Sequence, residues 1–207
     1  MRIAIIGAGQ VGTALAKNLA ASGHDVVVGT RDPKGVTATT ARAALGSVPV
    51  VEIPAALDGA DAAVLAVPGA AMDDLIATHG AALDGKLVMD AANRVGASLS
   101  EQAAMSSVAA VAAAAPAAAV YRAFNSLGWE NFAEPWIGGV QADLLFAGPA
   151  SRRADAEAVI AGVGLRPVYV GDLDKVGLVD SIAALWGSLA YGQGMGRRLF
   201  FKVVTPD

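Results

Sequence analysis

The chain has no cysteine among its 207 residues, so neither a disulfide nor thiolate chemistry is open to it, which fits a reducing compartment. Histidine occurs only twice and no H-E-x-x-H pattern is present, leaving no evident ligand set for a transition metal. No serine sits in a G-x-S-x-G elbow, which argues against an esterase-type nucleophile. Basic tracts are missing and the net charge is −4, so a nucleic-acid partner held by clustered Lys and Arg is not expected. Long apolar runs are missing as well. The run Ile3 to Ile6 stops at Gly7, too short for a secretory core. Ala103 to Val120 is uncharged, but it is mostly alanine with Ser106, Ser107 and Pro116 inside, too weakly apolar for a bilayer. A cytoplasmic protein without a membrane partner is the expectation.

Aromatic residues make up 5% of the chain while hydrophobic residues reach 55%. Alanine and glycine account for much of that, which predicts close packing of small side chains. The pattern along the chain alternates. Arg2 to Ile6 is a β-branched run, followed by a glycine turn and by Val11, Leu15 and Leu19 at helical spacing. Strands are then expected at Asp25–Thr30, Val48–Val51, Ala62–Val67 and Leu87–Asp90, with helices at Thr37–Leu45 and Ala70–His79. Beyond them the pattern predicts an alanine-rich helix from Ser100 to about Ala115, a strand at Val120–Phe124, a Trp/Pro/Gly loop and a strand at Ala142–Ala147. A helix at Ser151–Val163, a strand at Arg166–Val170 and a last helix from about Val176 to Gly192 complete it. Continuous apolar strands separated by helices indicate an α/β fold of Rossmann type, doubly wound, with a mostly parallel sheet and a small C-terminal extension. The division expected is a dinucleotide-binding domain over 1–140 and a C-terminal portion over 141–207 that completes an acceptor cleft.

Gly7-Ala8-Gly9-Gln10-Val11-Gly12 matches G-x-G-x-x-G directly after a strand and at the start of a helix. In that context Gly7 makes the turn, Gly9 lets the backbone approach a pyrophosphate, and Gly12 lets the helix pack against the sheet. The helix N-terminus, at Gln10 and Val11, then offers N–H groups to the phosphates. After the second strand an NAD-binding unit carries an acid about 20 residues on, and counting alone nominates Asp32. Asp32 precedes Pro33, however, and Asp-Pro starts a turn. Thr30 and Arg31 therefore take the strand tip, where a guanidinium can hold a 2′-phosphate, with Lys34 as a further donor. NADP(H) is the cofactor this predicts; the alternative is that Arg31 and Lys34 are solvated loop charges. At the ends of the middle strands, Val67 and Pro68 should wall the nicotinamide site. Asn93 and Asn125 could each orient a carboxamide or a substrate carbonyl, or Asn125 could merely stabilise its own turn. Asp90 could be a strand-end carboxylate satisfied by neighbouring backbone. Both histidines are expected at the surface, and Trp129, Trp136 and Trp186 by default in the core, the alternatives being the interface between the sheet and the C-terminal part or a dimer contact. Tyr-x-x-x-Lys is absent, so no carbonyl proton donor is evident. In the glycine-rich tail, Gly194 and Met195 could meet an acceptor ring, or the tail could be a helix cap and a flexible terminus.

Five blocks together resemble the NADPH-dependent deazaflavin-coenzyme reductases: "GTRDP" at Gly29–Pro33, "AVLAVP" at Ala63–Pro68, "VMDAANR" at Val88–Arg94, "RAFNSLGWENFAEP" at Arg122–Pro135 and "LAYGQGMGR" at Leu189–Arg197. The resemblance covers nearly the whole chain. It implies hydride transfer between NADPH and a deazaflavin co-substrate stacked on the nicotinamide, by ring alignment and without a catalytic side chain. The rival expectations are reduction of another small acceptor, an imine or carbonyl compound, and NADP(H) sensing without turnover. The last helix has few charges along Ile182–Gly192, so a homodimer is expected through that face.

Overall fold

The computed structural model describes residues 1–94 and 105–206. Strand β1 (Arg2–Ile6) feeds α1 (Gln10–Ala21), β2 (Asp25–Thr30) and α2 (Val36–Leu45), after which β3 (Val50–Glu52) runs straight into α3 (Ile53–Leu57). The second half of the unit follows as β4 (Ala62–Leu65), α4 (Met72–His79), β5 (Leu87–Asp90), α5 (Val108–Ala114) and β6 (Ala119–Arg122). These strands lie in the order β3-β2-β1-β4-β5-β6, all parallel. That is the doubly wound arrangement, with the switch point between β1 and β4 where such sheets bind ligands. The chain then forms α6 (Trp129–Ala133), a hairpin of β7 (Trp136–Ile137) and β8 (Val140–Gln141), and β9 (Asp143–Ala147), α7 (Arg153–Gly162), β10 (Arg166–Gly171) and α8 (Val176–Gly187). Strands β9 and β10 extend the same sheet beyond β6. They are parallel to each other, and β9 is antiparallel to β6 through Arg122 and Ala147.

Both faces of the sheet are covered, and the strand residues alternate between two cores. Ile3 and Ile5 of β1 belong to one core with Leu15 of α1 and Ile160 of α7, while Ala4 and Ile6 belong to the other with Ile53 of α3 and Met72 of α4. A strand buried on both sides needs apolar residues at every position, which is why its sequence reads as an unbroken run.

The elements depart from the sequence pattern where local geometry intervenes. The strand expected to reach Val67 ends at Leu65 and the one expected to reach Phe124 ends at Arg122. Phe124 has a φ of +63°, a left-handed conformation that no strand continues through. The expected loop of Trp, Pro and Gly contains α6 and the β7–β8 hairpin, whose turn glycines, Gly138 and Gly139, have φ of +56° and +80°, as a type I′ turn requires. Pro54 opens α3, where its missing N–H is harmless. Of the alanine-rich helix, the part before residue 105 lies outside the described residues, and α5 begins after Ser107. The last helix loosens after Gly187 into one wide turn, Ser188–Gly192.

Trp186 is buried, whereas Trp136 on the hairpin is 53% exposed, against the expectation that all three tryptophans are core. The residues after Gly196 are pinned along the fold. Asn131 Nδ2 donates to the Arg197 carbonyl at 2.9 Å and Trp186 Nε1 to the Leu199 carbonyl at 2.9 Å. Asp143 accepts from Lys202 Nζ and from the Val203 N–H, each at 2.7 Å.

Candidate functional site

The loop after β1 is shaped by two glycines. Gly7 has a φ of +124° and donates its N–H to the Gly29 carbonyl at 2.8 Å. A Cβ on Gly7 would sit 2.5 Å from the Ala66 carbonyl oxygen, and one on Gly12 would sit 1.9 Å from the Gly7 carbonyl oxygen. No side chain fits either place, so α1 reaches the sheet only because both residues are glycine. Gly9 differs: a Cβ there would meet nothing within 4 Å. Gly9 is the N-cap of α1, no side chain caps that end, and the first turn holds no acid. The N–H groups and the positive end of the helix dipole are therefore left for an anion.

At the tip of β2, Asp32 bends back on its own turn. Its Oδ1 accepts the Lys34 N–H at 3.0 Å and its carbonyl accepts the Gly35 N–H at 3.2 Å, the turn-capping role expected of Asp-Pro. Arg31 is exposed, and its guanidinium makes no hydrogen bond or ion pair among the described residues. A groove of about 1130 Å³ connects this tip with the glycine loop, more than the 300–1,000 Å³ typical of a pocket for one drug-sized ligand. Gly7, Gly9, Gln10, Val11, Thr30, Arg31, Val67, Pro68 and Asn93 line it. The elongated space, the open helix end and the cation at its far tip fit a phosphorylated dinucleotide. Gly12 acts from beneath by packing, and Lys34 lies outside the lining. Ile53 and Pro54 of α3 and Thr78 and His79 of α4 also line the groove. His79, expected at the surface, is half-buried and lies along the groove wall.

The opposite end rests on a buried polar cluster. Arg122 is fully buried. Its Nε donates to Asp180 Oδ1 at 2.7 Å, its Nη1 to the Ala92 carbonyl at 2.6 Å, and its Nη2 to Asn93 Oδ1 at 2.6 Å. Asp90 lies 3.2 Å from Nη1 and accepts the N–H groups of Ala92 and Ser107 at 3.0 and 2.7 Å. It is a strand-end carboxylate satisfied by backbone. Burial pushes the carboxyls of Asp90 and Asp180 upward, opposed in both by the charge of Arg122. Asn125 is a buried member of this cluster and does not line the groove. It follows the left-handed Phe124, whose strained backbone turns the chain so that the Asn125 carbonyl accepts Asn93 Nδ2 at 2.7 Å.

Trp129 and Arg197 complete this end of the groove, and Gly194 and Met195 are not among its lining residues. Met195 is 65% exposed. Arg197 is held by Glu130 at 2.6 Å and by the Tyr191 hydroxyl. Sequence reasoning missed both groove residues because neither has a local signature; their blocks were visible, and which member faced the ligand was not. Among the described residues no group of three or more His, Asp or Glu could hold a metal, and no helix is long and apolar enough to cross a membrane.

Residues 2–94, which hold the glycine loop, the β2 tip and Asn93, match the family described as NADP oxidoreductase, coenzyme F420-dependent. A crystal structure from Arthrobacter sp. FB24, provisionally assigned as an F420-dependent NADP reductase, superposes with a TM-score of 0.86 at 24% identity over 99% of this chain and 100% of that one. The reductive aminase of Aspergillus terreus, solved with NADPH and ethyl-5-oxohexanoate, gives a TM-score of 0.66 at 22% identity over 93% of this chain and 62% of that one. At these identities the likeness is one of fold. The glycerol-3-phosphate dehydrogenase (NAD(P)+) of Pseudomonas syringae pv. syringae is 31% identical over 98 residues, 42% of this chain and 29% of that enzyme. The match spans less than a third of its length.

Proposed function

With the match to an NADP-dependent oxidoreductase family as the premise, we propose that this protein moves hydride between NADP(H) and a deazaflavin coenzyme. One observation carries the cofactor half: a single groove holds both an uncapped, acid-free helix N-terminus at Gly9 and, at Arg31, a guanidinium with no partner among the described residues. The first suits the pyrophosphate and the second, with the Thr30 hydroxyl, suits the 2′-phosphate. When bound, NADPH supplies the hydride. The chain's own part is to hold the phosphates, to seat the nicotinamide against Val67, Pro68 and Asn93, and to keep water from the reacting carbons.

The acceptor half is supported by the family's description and by the blocks that furnish Trp129 and Arg197. An indole and a cation lining that end of the groove suit a planar, anionic partner. On this reading residues 141–207 complete the acceptor cleft. The exposed Leu178, Leu185 and Tyr191 at and beyond α8 are where a second copy would dock. The test is NADPH oxidation with the deazaflavin and with a panel of imines and carbonyl compounds. Reduction of the deazaflavin without added flavin or metal is expected. Turnover of an imine or a carbonyl compound alone would move the reading to the chemistry of the Aspergillus terreus enzyme, and tight NADPH binding without any turnover would leave a sensor.

A further inference from the structure

The cluster beneath the nicotinamide end contains one guanidinium and two carboxylates, all buried. The two acids are not equivalent. Asp90 accepts donors on both oxygens, from the Ala92 N–H on Oδ1 and from the Ser107 N–H on Oδ2, and its Oδ2 lies at ion-pair distance, 3.2 Å, from Arg122 Nη1. Asp180 accepts Arg122 Nε and Asn125 Nδ2 on Oδ1 alone, at 2.7 and 3.2 Å. Its Oδ2 has no partner among the described residues, nor does Asn125 Oδ1. Two buried oxygens are thus left bare on side chains already joined by one hydrogen bond, and a proton on Asp180 Oδ2 would supply the donor that the pair lacks. A charge buried without a counter-ion costs several kcal/mol, and one guanidinium balances one carboxylate. Both facts are met if Asp180 carries the proton.

The same cluster fixes the orientation of a groove residue. Arg122 has donors only and its Nη2 faces Asn93 Oδ1, while the Asn125 carbonyl accepts only and faces Asn93 Nδ2. Turning the Asn93 amide over would set donor against donor and acceptor against acceptor. With Oδ1 and one N–H engaged below, Asn93 has its second N–H left to offer the groove it lines.

We infer that Asp180 is held as a neutral acid paired with Asn125, and that Arg122, balanced by Asp90, is the positioning residue that fixes Asn93 as a donor toward a carbonyl oxygen at the nicotinamide end. The inference deepens the reading of an NADP(H) site and rests on it. The carbonyl is that of the cofactor carboxamide or of the acceptor, and the two are separable. Burial is the main cause that raises Asp180, and among the described residues Arg122, which opposes it, and Asp90, which adds to it, are the charged groups acting on it.

The experiment compares equilibrium binding of NADPH and of its thionicotinamide analogue, which replaces the carboxamide oxygen by a poorly accepting sulfur. If Asn93 reads the carboxamide, Asn93→Ala weakens NADPH about two- to tenfold, the worth of one neutral hydrogen bond, and leaves the analogue within about twofold of the unmodified protein. If Asn93 reads the acceptor, both cofactors bind as before and KM for a carbonyl-bearing acceptor rises while kcat holds. Equal weakening of both cofactors overturns the donor role, as does no change in any of these readouts. Failure of the unmodified protein to bind NADPH overturns the cofactor reading itself. The proton is tested by Asp180→Asn, which supplies the acid's hydrogen bonds without its charge. Its melting temperature should lie within about 2 °C of the unmodified protein. An acid that is protonated when folded and ionised when unfolded makes stability fall as pH rises from its ordinary value of 3.8 toward its higher folded value. The substitution should remove that fall. A drop of ~6 °C or more, or a pH profile unchanged by the substitution, shows that Asp180 is ionised and overturns the inference.

Discussion

At the end of the groove proposed for the phosphates, the candidate binding groups come from neighbouring stretches of chain: the Gly7–Gly12 loop, the first turn of α1 and the tip of β2. They are mostly backbone N–H groups, exposed and uncharged, with Arg31 as an added cation. Beneath the end proposed for the nicotinamide, the supporting cluster is built of side chains from β6, α8 and the end of β5 that meet across 29 to 58 residues of sequence, and the charges of Asp90, Arg122 and Asp180 are buried. The first end depends on β1, α1 and β2, which follow one another in the chain, and on Ala66 just after β4. The second exists only once the whole sheet and its last helix are assembled. Damage to the first should therefore appear as lost affinity in a stable protein, and damage to the second as lost stability.

The strongest test is Arg122→Met, which leaves Asp90 buried without its counter-charge. The expected loss is about 3–5 kcal/mol of stability, roughly 6–20 °C in melting temperature, measured by calorimetry. An unchanged melting temperature would break the comparison. Next in size is Arg31→Ala, expected to weaken NADPH by about 1.5–3 kcal/mol, roughly ten- to a hundredfold, through loss of a charge-assisted contact. NADH binding and the melting temperature should stay put. Equal loss for both cofactors would instead return Asp32, or Glu52 in the same lining, to consideration as a ribose ligand.

A smaller effect is expected from acid. Burial disfavours the ionised Asp143, but hydrogen bonds from Arg166, Lys202 and the Val203 N–H outweigh it and hold the carboxyl below its ordinary value of 3.8. This contribution is present above that value and is lost as pH falls through the lower folded one, the opposite sign to Asp180. Residues 202–206 should become protease-sensitive in that range, and Asp143→Asn should make them so at neutral pH. Deleting the chain from Gly192 removes these partners together with those of Asn131 and Trp186, so point changes are the cleaner probe of the tail. The smallest effect belongs to Met195→Ala: the side chain is exposed and outside the groove, so NADPH binding should stay within about twofold, as titration would show.

What could be read in advance follows the same division. The alternating strands and helices, the glycine loop and the turn at Asp32-Pro33 were legible because each depends on residues within a few positions of one another, through backbone sterics and hydrophobic period. Asn93 was legible as a strand-end residue, but not as a donor, since its orientation is set by Arg122 and by the Asn125 carbonyl beyond the left-handed Phe124. His79, Trp129 and Arg197 became groove residues only when α3, α4, α6 and the tail were packed around the crevice. Local sequence thus determined the sheet, the phosphate cradle and the cation at its tip. Which buried charges face one another, and therefore what the nicotinamide end presents, was decided by tertiary structure, because electrostatic partners are chosen by distance in space.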